Sequence, residues 1–321
     1  MMRQERVIKL ISDFFEDRVI IAKAYVDELH LEIAKHEILN LTVKLRDWGF
    51  PLIQLTATDE RGSHGNFRLF YTFANDEEQF LIIVSVCIAE DEPSFPSIMK
   101  EVPAAHWYER EIRDLFGLDP IGHLDKRCLA VHKDWPDGLY PLRKDFSVDS
   151  EVPRTKGQFS YDKVEGEGVM QVPVGPIHAG IIEPGHFRFS AVGDTVLNLE
   201  ARFFYTHRGM EKLAEGKTPL AVFPIVERIC GACSFSHTTS YCQAIEKLSG
   251  TEVSTRVNDI RTVVLELERL YNHVGDVGNI CAGVGFAFGT MHGARLREDL
   301  MQLNEQVFGS RFLMEIMASR R

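Results

Sequence analysis

The chain has 321 residues, 45% of them hydrophobic and 26% charged, which are globular values and exclude disorder over the whole length. With 36 Lys and Arg against 47 Asp and Glu the formal net charge is −11. No long basic block offsets it, so a nucleic-acid binder that relies on phosphate contacts is excluded. The longest apolar run, residues 80–89, is about half of what a bilayer crossing needs, and the opening MMRQERVIKLISDFFEDRV lacks the apolar stretch of a secretory signal. A cytoplasmic location is expected, where the six cysteines serve as thiols or metal ligands rather than as a disulfide framework.

Val7, Leu10, Ile11, Phe14 and Phe15 recur at i, i+3, i+4, i+7 and i+8 and predict an opening amphipathic helix. A second helix is expected over residues 36–48, stopping near Gly49 and Pro51. Residues 52–58, 67–73 and 80–88 read as strands joined by turn-rich connectors, an antiparallel meander. The run VPAAHWYEREIRDLFGL follows as a helix that ends at Gly117. Helices plus a separate run of strands make residues 1–146 an α+β domain. Residues 147–170 mix Gly, Pro and charge without periodicity and read as an inter-domain linker. The second domain, residues 171–321, opens with short strands and tight turns. It then turns mainly helical: residues 199–214, 230–248 and 254–275, a glycine-rich break at 286–293, and 296–317, with the last residue, Arg321, falling mid-helix.

The strongest local signal is Arg228-Ile-Cys230-Gly-Ala-Cys233-Ser-Phe-Ser-His237. If Cys230 opens a helix, Cys233 lies roughly 60° and His237 roughly 20° from it around the axis, so all three share a face. Thiolates are soft ligands suited to nickel, iron, zinc or copper(I), and a helix N-terminus with Arg228 nearby would lower both thiol pKa values. Cys242, roughly 120° away, reads as a packing cysteine. Three other readings stand beside a catalytic metal site. A structural zinc site would have to recruit Cys242; a thioredoxin-like dithiol would need a βαβ unit upstream; and two inert buried cysteines need nothing further.

Three more segments draw notice. In the run 175–188 (GPIHAGIIEPGHFR), Glu183 lies between apolar residues and tight turns, as a proton-shuttling carboxylate or as a turn carboxylate accepting backbone N–H groups. Residues 206–217 (THRGMEKLAEGK) read as an exposed charged helix. The charge-dense Glu109–Asp114 run and the following Gly122–Arg127 segment read as a partner-docking face. No Cys-x2-Cys-x2-Cys run is present for an iron–sulfur cluster.

Residues 107–146 (WYEREIRDLFGL to PLRKDF) resemble the 30-kDa subunit of complex I, the proton-pumping NADH:quinone oxidoreductase. From Gly175 onward THRGMEKLAEGK, ERICGACSFSHTTSYCQAIEKL and LELERLYNHVGDVG resemble its 49-kDa subunit and nickel–iron hydrogenase large subunits. The two halves on one chain with an intact Cys-x2-Cys resemble the large subunit of the formate hydrogenlyase hydrogenases, hydrogenase-3 and hydrogenase-4.

That resemblance implies an oxidoreductase that forms or oxidises H2 at a Ni–Fe centre of nickel and iron with diatomic ligands. It gives Cys230 and Cys233 as the first cysteine pair, one terminal on nickel and one bridging to iron. It gives Glu183 as the residue that passes protons, with Pro184 inserted into the simpler Glu-Gly-His pattern. His237 and Arg228 would support the cluster from behind its ligands. The implied partners are an iron–sulfur small subunit of complex I type, membrane subunits that hold the assembly on the inner face of the cell membrane, and a formate dehydrogenase module. Such large subunits carry a second motif, DPCxxC. No cysteine follows Cys281 here, so half of the ligands are expected and the chain is expected to be a fragment, inactive by itself. The alternative is a metal-free fused subunit of complex I type that helps form a quinone pocket for NAD-linked electron transfer. Against it stand the intact cysteine pair and Ile182, where those relatives carry a histidine. A purely structural assembly subunit is the third reading.

Overall fold

The computed structural model describes residues 3–157, 159–177 and 183–317. These divide into two units, one of the residues up to 177 with 184–207, the other of Glu183 with 208–317. Together they make an α+β protein, and no helix among the described residues is long and apolar enough to cross a membrane.

The first unit opens with α1 (Arg3–Phe15), β1 (Val19–Ala24), β2 (Glu28–Ile33) and α2 (Ile38–Asp47). It continues with β3 (Leu52–Asp59), the single turn α3 (Arg61–His64), β4 (Asn66–Asn75) and β5 (Phe80–Ala89). The five strands form one sheet in the order β1-β2-β5-β4-β3. Strands β3, β4 and β5 are antiparallel as the turn-rich connectors predict, but β2 adds to β5 in parallel, with Leu29 opposite Ile82 and Leu31 opposite Val84. Alternation along β4 sends Phe67, Leu69, Tyr71 and Phe73 to one face, opposite Ile88, Val86, Val84 and Ile82 of β5. Val7, Ile11 and Phe15 of α1 and Ile38, Leu41 and Leu45 of α2 join the same core. Each such side chain contributes roughly 1.5–3 kcal/mol on full burial.

Two short parallel strands, β6 (Ser94–Pro96) and β7 (Asp119–Ile121), flank α4 (Ala105–Phe116). Helix α4 ends at Gly117, whose φ of +70° suits glycine and where an added Cβ would lie 2.5 Å from the Tyr140 ring. The charged run of α4 is not the uniformly exposed face expected for docking: Glu109, Arg110 and Asp114 are buried, while Glu111 and Arg113 are half-exposed. Glu109 holds the chain before the helix, at Ser97 and Ile98, and the other two hold the irregular chain that follows. Arg110 donates to the carbonyls of Arg127 and Cys128, and Asp114 accepts from the N–H groups of Leu129 and Ala130. Buried charge of this kind is tolerated because it is spent on backbone groups that have no ladder of their own.

Residues 147–169 carry no helix or strand among those described, yet they are tied into the first unit. Thr155 N–H donates to Asp134 O, Asp162 N–H donates to the Glu200 carboxylate, and Arg127 and Arg202 lie over the Phe159 ring. An antiparallel sheet of β8 (Met170–Val174), β9 (His186–Val192) and β10 (Thr195–Arg202) also belongs to this unit. The division between units therefore falls at 207/208, and not within the expected linker 147–170.

The second unit contains α5 (Met210–Ala214), α6 (Pro219–Val226), α7 (Ser234–Ser249), α8 (Thr255–Gly283) and α9 (Ala287–Phe308). In place of the one helix expected over 199–214, β10 and the short α5 stand apart. Helix α9 stops at Gly309 in the left-handed region, so residues 309–317 leave the expected final helix. Helices α8 and α9 pack so closely that Gly278 and Gly293 meet backbone to backbone; a Cβ on Gly293 would sit 2.6 Å from the Gly278 Cα. The core of this unit gathers Phe235, Val264, Tyr271, Met301 and Leu313.

Candidate metal centre

Cys230 and Cys233 lie on the connection between α6 and α7, not within a helix. Helix α7 begins at Ser234 with Cys233 as its N-cap residue, so the shared helix face expected for Cys230, Cys233 and His237 does not exist. The loop brings the two cysteine side chains within each other's electrostatic reach instead, and the Ala232 N–H donates to the Cys230 Sγ at 3.4 Å. His237 sits in the first turn of α7, half-buried, its N–H donating to Cys233 O.

The surroundings of the loop come from two parts of the chain, the segment before α5 and helix α8. Arg208, just before α5, donates from Nη2 to the carbonyls of Arg228 and Ile229 at 2.7 and 2.9 Å. Asn272 Nδ2 and the Tyr271 hydroxyl, both on α8, donate to Ala232 O at 2.6 and 3.3 Å. Glu268, one turn earlier on α8 and only 2% exposed, caps α7: its carboxylate accepts from Phe235 N–H at 2.7 Å, from Ser236 N–H at 2.9 Å and from the Ser236 hydroxyl. A carboxylate at this place satisfies orphan helix donors and meets the positive end of the helix dipole.

At Cys233 the electrostatics run opposite to the sequence expectation of a lowered thiol pKa. Burial, the neighbouring Cys230 side chain and the negative charges of Glu268 and Glu183 push Cys233 up to about 12. Arg228 does not offset this. It is exposed, and its guanidinium donates to Pro224 O at 2.9 Å and lies 3.6 Å from the Glu227 carboxylate. Glu183 is exposed and belongs to the same unit as the cysteines, close enough for its charge to act on the Cys233 thiol. His178 and Ile182, from the same sequence run, lie outside the described residues. Cys242 is buried on α7, where burial raises its pKa and the Arg261 charge opposes the rise.

Among the described residues no group of three or more His, Cys, Asp or Glu side chains could hold a metal ion. The pair itself offers two sulfur donors of the kind nickel, iron or zinc prefers. The donor chemistry therefore fits two ligand positions of a thiolate-bound metal and no more. The residues that sequence reasoning passed over are Arg208, Glu268, Tyr271 and Asn272. Glu268 left a signal: Val264, Glu268 and Tyr271 recur at i, i+4 and i+7, which puts a carboxylate in the buried stripe of α8.

Comparison with known proteins matches both regions. Residues 31–152 match the family described as "Respiratory-chain NADH dehydrogenase, 30 Kd subunit", and residues 208–276 match "Nickel-dependent hydrogenase". The chain is 38% identical over 262 residues to hydrogenase-4 component G of Escherichia coli (strain K12), which covers 80% of this chain and 47% of the relative. It is 39% identical over 265 residues to formate hydrogenlyase subunit 5 of the same organism, covering 80% of this chain and 46% of that one. It is 30% identical over 243 residues to the C/D subunit of NADH-quinone oxidoreductase from Bacteroides fragilis, covering 70% of this chain and 46% of the relative. The chain thus spans about half the length of the curated relatives it matches. The resemblance carried by the sequence motifs and these similarities agree.

Proposed function

We propose that the protein is the thiol-bearing part of a hydrogenase large subunit of formate hydrogenlyase type, an oxidoreductase in which Cys230 and Cys233 hold one side of a Ni–Fe centre. The observation that carries this reading is the Cys230–Cys233 pair. The two thiols lie within each other's electrostatic reach on a loop held by side chains, inside the region similar to nickel-dependent hydrogenases, with the Glu183 charge acting on Cys233. When bound, the centre supplies the interconversion of H2 with protons and electrons. This chain's residues do the rest. Cys230 and Cys233 bind as thiolates, and because Cys233 is held protonated up to about 12, metal uptake there releases a proton. Glu183, exposed beside Cys233, takes up that proton and passes it to solvent. Two thiolates leave a metal centre open, so its remaining donors come from polypeptide beyond this pair. Electrons leave through iron–sulfur clusters on a small subunit of complex I type. Membrane subunits, with a formate dehydrogenase module, hold the assembly on the inner face of the cell membrane.

The second reading, a metal-free subunit of complex I type lining a quinone pocket, draws on the similarity to the NADH-quinone oxidoreductase C/D protein. One experiment separates the two. In the full-length protein with its partners, Glu183→Gln should keep nickel and iron, measured by plasma mass spectrometry, while H2 turnover falls on the order of a hundredfold or more, the scale of losing a general acid–base group. Cys230→Ser should lose nickel and activity together, since a hard hydroxyl replaces a soft thiolate. Equal metal loss in both variants would make Glu183 structural. Metal-free wild-type protein that reduces quinone would establish the second reading.

A further inference from the structure

The carbonyls from Glu227 to Ala232 have no helix or strand ladder, so their position is set by whatever side chains they meet. Four of them are taken by side chains. Glu227 O accepts from the Ser234 hydroxyl at 2.8 Å, Arg228 O and Ile229 O accept from Arg208, and Ala232 O accepts from Asn272 and Tyr271. Ser234, Tyr271 and Asn272 hold the loop from the α7–α8 side, where Glu268 already locks the two helices together. Arg208 reaches it from the segment before α5, and the two carbonyls it takes immediately precede Cys230.

We propose that Arg208 is a positioning residue that fixes the backbone ahead of Cys230 and so sets the separation of the Cys230 and Cys233 sulfurs. The inference rests on reading the pair as metal-binding thiols, for which that separation matters. The side-chain type fits the task. A guanidinium is always charged and planar, and it offers several N–H donors at the end of a long stem. Here one nitrogen spans two successive carbonyls, which pins a peptide orientation as well as a position. A lysine ammonium has three N–H donors and could also reach both oxygens, but on a flexible stem without the planar frame that fixes their orientation. Alanine would surrender both carbonyls to water and leave the Cys230 half of the loop held only by its chain neighbours.

The separation can be read without any metal. Equilibrated with glutathione, the two thiols and one oxidised glutathione give a Cys230–Cys233 disulfide and two reduced glutathiones. The equilibrium constant is the effective concentration of one thiol for the other. In the full chain it is measured by trapping with an alkylating agent and mass spectrometry of the peptide that carries both cysteines. Arg208→Ala should lower it on the order of tenfold, the scale of losing charge-assisted hydrogen bonds, with the melting temperature of the chain unchanged. Arg208→Lys should recover part of the loss. Arg269→Ala, which removes an exposed arginine of α8 paired with Glu266, should change nothing. An unchanged equilibrium in Arg208→Ala overturns the proposal. So does a fall that tracks a lower melting temperature and is not recovered by lysine, which would make Arg208 an ordinary contributor to folding. Titration of the wild-type chain with cadmium ion, followed by sulfur-to-metal absorbance, tests the metal reading separately. No cadmium uptake at the pair overturns that reading and leaves the thiol equilibrium to decide the role of Arg208.

Discussion

Glu109 gives the first unit a pH dependence of known sign. It is 0% exposed on α4, accepting from the Ser97 hydroxyl at 2.5 Å and from Ile98 N–H at 2.7 Å, with His123 Nε2 at 3.9 Å. Burial raises its carboxyl from 4.5 to about 7, against the pull of the two hydrogen bonds. A carboxyl that keeps its proton longer in the folded state than in the unfolded one contributes stability that is complete below 4.5 and lost as pH rises through about 7. At about 1.4 kcal/mol per pH unit the loss comes to about 3 kcal/mol. His106, His123 and His132, which burial pushes below the usual histidine range, tilt the curve the other way. The informative quantity is therefore the difference between wild type and Glu109→Gln, a variant of the same shape that does not titrate. Between pH 4.5 and 8.5 the stability of the variant relative to wild type should rise by about 3 kcal/mol. Urea unfolding followed by tryptophan fluorescence measures it, because all three tryptophans, Trp48, Trp107 and Trp135, lie in the first unit. A difference that stays constant across that range would refute the claim that the buried carboxyl is protonated in the folded state.

Two further changes test the second unit. Gly293→Ala places a methyl 2.6 Å from the Gly278 Cα and should force α8 and α9 apart, at a cost of about 1–3 kcal/mol; the check is a lower midpoint in the helical circular-dichroism melt with the tryptophan transition of the first unit unmoved. Glu268→Gln removes a negative charge that holds the Cys233 thiol protonated, so the pH profile of Cys233 alkylation should shift to lower pH, and an unshifted profile would mean that the carboxylate does not act on the thiol.

The fold is readable where one face of an element is buried and the other is wet. Strands β4 and β5 and helix α1 are of that kind: the alternation from Phe67 to Phe73 and the helical spacing from Val7 to Phe15 are the imprint of a single buried face. Strand β1 carries no such imprint, because from Ile20 onward it is exposed along its length at the sheet edge. Strand β2 is masked by Glu28 and His30, which pair with each other within the strand. Helix α6 is masked for the opposite reason. PLAVFPIV is apolar almost throughout and holds Pro224, so no period separates a buried side from an exposed one. The charged run of α4 misleads in a third way: charge density is a surface signal only when nothing inside needs the charge, and here irregular backbone from Arg127 to Ala130 needs it.

The same logic divides what the sequence could say of the thiol site. The spacing Cys230-x2-Cys233 is local, and it suffices to mark two soft donors that belong together. The geometry that joins them is not local. A helical wheel places the sulfurs by rotation about an axis, but α7 starts after Cys233, so they are placed by whatever holds the preceding turn. Those holders stand 20 residues upstream of Arg228, at Arg208, and 40 residues downstream of Ala232, at Asn272. The sign of the thiol electrostatics depends on equally distant groups. Arg228, the neighbour in sequence, turns its charge toward Glu227 and Pro224, while Glu268 and Glu183, remote in sequence, act on Cys233. The Cys233 thiol, held first by burial and then by the negative charges that face it, keeps its proton through neutral pH. Cys233 is therefore a poor nucleophile at neutral pH, since only the thiolate attacks a disulfide. A bound multivalent cation would reverse the balance of charge at Cys233 and favour its thiolate.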